Sequence, residues 1–134
     1  MGKTMFEMVG EMHKKFGFPV AGEENGPHIV DDEIRYFRRA FLREEYNEFC
    51  WAQDDGDLVE IADALIDIIV VVLGTCHFYG LPADELFAEV QRSNMEKERG
   101  MGKRGVAVDL VKPDGWKKPD LLTILEDALK QKSI

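Results

Sequence analysis

Residues 58–73 read LVEIADALIDIIVVVL, and whether this run is a strand or a helix decides the fold. Its β-branched residues favour a strand. Its acids decide otherwise. A strand sends Glu60 and Asp63 to opposite faces, whereas at about 100° per residue Glu60, Asp63 and Asp67 lie within about 60° of one another on a helix. Thirteen of the sixteen residues are apolar, so the helix is apolar nearly all round and belongs inside a bundle or a subunit interface. Its only polar stripe is acidic.

The neighbouring segments continue the helical pattern. Asp57 caps this helix, which is predicted to run to about Tyr79, and the turn Asp54-Asp55-Gly56 precedes it. Ile34, Phe37, Phe41, Leu42 and Phe49 mark another helix from about Asp32 to Gln53. Met5, Met8, Val9, Met12 and Phe16 recur at three- and four-residue steps, predicting an amphipathic helix over residues 3–16 that ends near Gly17. The loop FPVAGEENGPH follows it. Pro82 suits the first turn of a fourth helix, LPADELFAEVQRSNMEK, with Leu86, Phe87 and Val90 as its buried side. After Gly100 the chain is expected to be irregular, until Pro119 heads a short helix from Asp120 to Lys130. There are no repeats. The expectation is an all-α, four-helix-type bundle with a short terminal helix, built as one domain over residues 1–134.

Hydrophobic residues make up 45% of the chain and charged residues 32%, the composition of a globular protein. The net charge of −9 opposes binding to nucleic acid or an anionic membrane. It is uneven: residues 91–118 carry eight bases (Arg92, Lys97, Arg99, Lys103, Arg104, Lys112, Lys117, Lys118) against four acids, which leaves −13 elsewhere. Cys50 and Cys76 form no CxxC pair and suit small apolar fillers in a reducing compartment. The N-terminal MGKTMFEMVGEMHKKFG lacks the apolar region of a signal peptide. The longest apolar run, Ile68 to Leu73, is far short of the ~20 residues that span a bilayer. A cytoplasmic location is expected.

Glu44, Glu45 and Glu48 can reach one side of the second helix. Packed antiparallel across the short turn, that helix brings them opposite Glu60 and Asp63. Four or five carboxylates in a partly dry space do not all stay ionised without a cation, and hard divalent ions such as Mg²⁺ or Mn²⁺ suit oxygen ligands. A salt bridge to Arg38 or Arg39 is the other way to balance acids on an apolar helix. Asp67 is either a further ligand or a capping and pairing residue deeper in the interface.

The pair of motifs, Glu44-Glu45-x-x-Glu48 and Glu60-x-x-Asp63, resembles the signature of the all-α NTP pyrophosphatase superfamily, the MazG-like enzymes. The likeness extends from the second helix to Leu122, through LFAEVQRSNMEK and KPDGWKKPDL, with a looser match in the first helix. Its small single-domain members include dUTP pyrophosphatase-like and phosphoribosyl-ATP pyrophosphohydrolase-like proteins. The resemblance implies that Glu45, Glu48, Glu60 and Asp63 are metal ligands for Mg²⁺, which Mn²⁺ can replace, with Glu45 or Glu48 as general base. It implies cleavage of a nucleoside triphosphate between the α and β phosphates, with dUTP favoured and dGTP, GTP or another nucleotide as alternatives.

Lys97, Lys103, Arg104 and Lys112 are candidates to hold the outer phosphates, and Asn94 and Lys97 match positions that the small members use near the substrate. Phe16, Phe18, Tyr46, Trp51 and Trp116 are candidates for stacking on the base. His77 reads as an ordinary helix residue. A di-iron bundle needs Glu-x-x-His pairs, and Asp63 and Glu48 stand where those histidines belong. A helical interaction module whose acids meet a partner's arginines is the reading from another class, and it predicts no stabilisation by divalent ions. The apolar third helix points to a homodimer or higher homo-oligomer.

Overall fold

The second and third helices form the spine of the molecule, seen in a computed structural model that describes residues 2–23 and 25–133. Helix α1 spans Met5–Phe16, α2 Asp32–Asp55, α3 Leu58–Phe78, α4 Ala83–Met95 and α5 Leu121–Ser133. Two short strands, β1 (Glu98–Gly100) and β2 (Asp109–Val111), pair antiparallel with Glu98 opposite Val111. Among the described residues the architecture is all-α apart from this hairpin, whose second strand lies in the stretch expected to be irregular.

Each helix start has a local cause. Thr4 accepts from the Glu7 amide at 3.0 Å while the Glu7 carboxylate accepts from the Thr4 amide at 2.8 Å, so α1 begins after residue 4 rather than at residue 3. Asp31 and Asp57 cap α2 and α3 in the same way, by accepting from Ile34 and Glu60. Gly56 takes the left-handed conformation that ends α2 and reverses the chain within two residues. Pro82 is the residue before α4, one place earlier than expected.

The long contact is α2 against α3, with α1 packed on α3 and α5 on α4. Buried residues of α2 are Arg38, Glu45 and Ala52, and those of α3 are Ala64, Val71, Gly74 and His77. The predicted apolar stripe of α1 stays largely open: Met5, Met8, Met12 and Phe16 are exposed, and Val9, Gly10 and His13 face inward. Phe87, expected on the buried side of α4, is 71% exposed, and Ala83 and Ser93 lie inside instead.

His77 is not an ordinary helix residue. It is 2% exposed, its Nε2–H donates to the Phe6 carbonyl at 2.9 Å, and its Nδ1 accepts from the Ala21 amide at 3.1 Å. One ring thus ties α3 to α1 and to the loop after it. His13 lies beside it, 5.2 Å between centroids, and donates from Nδ1 to the Pro19 carbonyl at 2.7 Å. Burial lowers both imidazole pKa values, and for His13 the neighbouring His77 and Arg38 add to the effect.

Candidate metal and nucleotide site

The tight turn at Gly56 fixes how the acids of α2 meet those of α3. Carboxylate oxygens of Glu45, Glu48 and Asp67 all lie within 4.8 Å of one another. Glu45 is the deepest, 8% exposed, and its Oε2 is buried with no hydrogen-bond partner. Burial raises its pKa, and the proximity and charge of Glu48 and the charges of Asp67 and Glu44 raise it further. A carboxylate held this way lacks the counter-charge that would keep it ionised.

Toward the turn, Glu48, Trp51, Ala52, Asp55, Glu60, Asp63 and Ala64 line a cavity of about 290 Å³. Glu48 therefore belongs to both groups: it joins Glu45 and Asp67 on one side and faces Glu60 and Asp63 on the other. The paired motifs do converge across the helix hairpin, but Asp67 replaces Glu60 and Asp63 as the third member of the tightest cluster. Its place on the stripe, four residues after Asp63, was the signal for it. Glu44 is exposed.

No lysine or arginine among the described residues forms an ion pair with these acids. Arg38 turns elsewhere: it is 8% exposed, donates from Nη2 to the Val71 carbonyl at 2.9 Å and from Nε to Thr75 Oγ1 at 3.0 Å, and lies over the rings of Phe41 and Phe78. An orphaned buried oxygen, a raised carboxyl pKa and an all-oxygen donor set fit a hard divalent cation.

Asn94, Lys97, Lys103, Arg104, Lys112 and Phe16 are not among the residues that line the acid cavity. Asn94 lies in the last turn of α4, half-buried. The Lys97 and Lys112 ammoniums sit 5.3 and 4.8 Å from the centroid of the Trp116 ring, and the Trp116 indole N–H donates to the Ser93 carbonyl at 2.7 Å. Arg104 bridges to Asp109 at 2.5 Å, which holds the Asp109 carboxyl below its usual range. Lys103 is exposed between the strands, and Phe16 is exposed at the end of α1, 6.2 Å from Phe18. Of the stacking candidates, only Trp51 lines the acid cavity.

The profile of the phosphoribosyl-ATP pyrophosphohydrolase family matches residues 9–94, which include α2, α3 and every acid of the site. The chain belongs to this family. It is accordingly a member of the MazG-like all-α NTP pyrophosphatase superfamily, whose common activity is metal-dependent pyrophosphohydrolysis of a nucleotide. The match opens inside α1 and closes at Asn94, so the hairpin, the tail and α5 lie outside it. Comparison with curated proteins yields no match. No helix among the described residues is long and apolar enough to cross a membrane.

Proposed function

We propose that this pyrophosphohydrolase acts on a nucleoside triphosphate with Mg²⁺, cleaving between the α and β phosphates to give a monophosphate and pyrophosphate. The observation that carries the reading is the buried, unpartnered Glu45 oxygen beside Glu48 and Asp67. Glu45, Glu48, Glu60 and Asp63 are the proposed ligands, and Asp67 joins them. When bound, the ion supplies neutralisation of phosphate charge and a more acidic water. Glu48 or Glu45 takes the proton of the attacking water; its oxygen bonds to phosphorus, and the bridging oxygen leaves with the bonding pair as part of pyrophosphate. Asn94, Lys97, Lys103, Arg104, Lys112 and Phe16 remain the proposed contacts to the rest of the substrate. None of them lines the acid cavity of one protomer, which leaves a second copy as the natural way to bring such groups to it.

That second copy has surface to cover. The chain exposes 9,865 Å², against about 7,100 Å² for a compact monomer of 15.3 kDa. The surplus suits an obligate interface. Leu65, Ile66, Ile69 and Val72 of α3 and Leu42 and Tyr46 of α2 form an exposed apolar face, so we propose a cytoplasmic homodimer of the 1–134 unit or a higher assembly.

The resemblance favours dUTP, while the matching family is described by phosphoribosyl-ATP, which carries the same α–β anhydride. A screen of the common deoxynucleotides, ribonucleotides and phosphoribosyl-ATP, with pyrophosphate read against phosphate and Glu48→Ala in parallel, decides among them. Pyrophosphate from one substrate, lost in the variant, is the expected result. No hydrolysis, with no Mg²⁺ or Mn²⁺ effect on melting, would leave the acidic interaction module as the better account.

A further inference from the structure

The chain has two tryptophans, and they are held very differently. Trp116 is engaged: its N–H donates to Ser93 and two lysines lie over its ring. Trp51 is 62% exposed, and among the described residues no hydrogen bond or ring contact holds it. It stands one helical turn after Glu48 on α2 and forms a wall of the cavity that Glu48, Glu60 and Asp63 share.

We propose that Trp51 is the platform on which the base of the nucleotide stacks, an inference that rests on the pyrophosphohydrolase reading of the acids. The cavity sorts the parts of such a substrate by charge. Phosphates approach Glu45, Glu48 and Asp67 only with a cation between them. At the other wall, Asp55, which is not among the proposed ligands, repels phosphate, whereas an uncharged planar base meets a free indole face. Three residues of helix separate Glu48 from Trp51, about 4.5 Å along the axis, so metal-bound phosphates and a stacked base can be parts of one molecule. An indole reads the π-face that every base has, so the contact contributes affinity without choosing the base.

The test uses full-length protein, Mg²⁺, α,β-methylene analogues of the common deoxynucleotides, and Mg²⁺ with pyrophosphate as the baseless probe. An analogue is expected to quench the emission of the wild type more than pyrophosphate does. In W51F, which leaves Trp116 as the sole tryptophan, the quench disappears while calorimetric affinity stays within a few-fold, because a ring remains. W51A is expected to weaken analogue binding by about 5- to 150-fold, to raise KM more than it lowers kcat, and to leave pyrophosphate binding unchanged. W51A that binds both probes as wild type does, weakens both equally, or shrinks the assembly on size-exclusion chromatography overturns the platform and assigns Trp51 to packing. A wild type that binds neither Mg²⁺-pyrophosphate nor any analogue overturns the underlying reading of the acids, a failure that the pyrophosphate arm identifies separately.

Discussion

Replacing Glu45 with glutamine should make the metal-free protein more stable while removing its function. Glu45 is buried against two other carboxylates whose oxygens lie within 4.8 Å. Two unit charges at that distance repel by about 3.5 kcal/mol at an effective dielectric constant near 20 and by about 0.9 kcal/mol in water. Glu48 is exposed and the raised pKa of Glu45 leaves it less than fully charged, so the lower end governs. Glu45→Gln is therefore expected to gain about 1–2 kcal/mol near pH 7.5 without metal, roughly 3–8 °C in Tm for a chain of this size. The sign with pH follows from the raised carboxyl. The folded state holds its proton above the unfolded pKa, so the penalty from this one carboxyl lessens as pH falls and the advantage of the variant over the wild type shrinks. Adding Mg²⁺ at 100 times its Kd should stabilise the wild type by about 2.7 kcal/mol and the variant far less, so the order of the two melting curves inverts. Calorimetric or fluorimetric melts in EDTA and in Mg²⁺, at pH 5.5 and 7.5, measure all four states. A variant that melts below the wild type in EDTA and responds equally to Mg²⁺ would refute the argument and make Glu45 a structural residue.

Three further outcomes follow from the packing. His13 and His77 are buried neutral, with pKa values below those of the unfolded chain, so stability should fall as pH drops below about 6.5; urea titrations at pH 7.5 and 5.5 check this, and His77→Gln should flatten the response. A Cβ at Gly74 would meet Arg38 Nη2 at 2.8 Å and His13 Nε2 at 3.1 Å, so Gly74→Ala should cost about 1–3 kcal/mol by overpacking, read from urea midpoints. Ile66 is exposed on α3 within the apolar face, so Ile66→Asp should shift the assembly toward monomer in multi-angle light scattering; an unchanged mass would remove that face from the interface.

Local signals made the helical frame legible. Asp31, Asp57 and Gly56 announce where α2 and α3 begin and turn, and the acids at positions 60, 63 and 67 told helix from strand where β-branched residues argued the other way. The hairpin was not legible, because strands of three residues, one of them Glu-Arg-Gly, carry no alternation and depend on pairing with a strand that begins nine residues after the first one ends. His77 was missed for a related reason: its burial exists only once α1 and Ala21 reach it. The acid site was legible as two motifs, but its tightest cluster depends on how far α3 slides along α2, which selects Asp67.

The same register explains why apolar periodicity misjudged what lies inside. The buried positions of α2 are 38, 45 and 52, seven residues apart, and Ala64 and Val71 of α3 keep that spacing. Seven-residue steps are the seam of two helices wound together in a left-handed sense. On α2 this seam holds an arginine, a glutamate and an alanine, so its most buried line contributes little hydrophobic free energy. The large apolar side chains of the pair, Phe37, Leu42, Leu65, Ile66 and Ile69 among them, mark other faces and are open to solvent in a single copy. A hairpin whose seam is given over to charge must find its hydrophobic burial elsewhere, and the faces able to supply it are those a second copy would cover. In the proposed assembly, contact and site are linked: a contact between copies would stabilise the helix pair whose own seam holds the uncompensated carboxylate of Glu45.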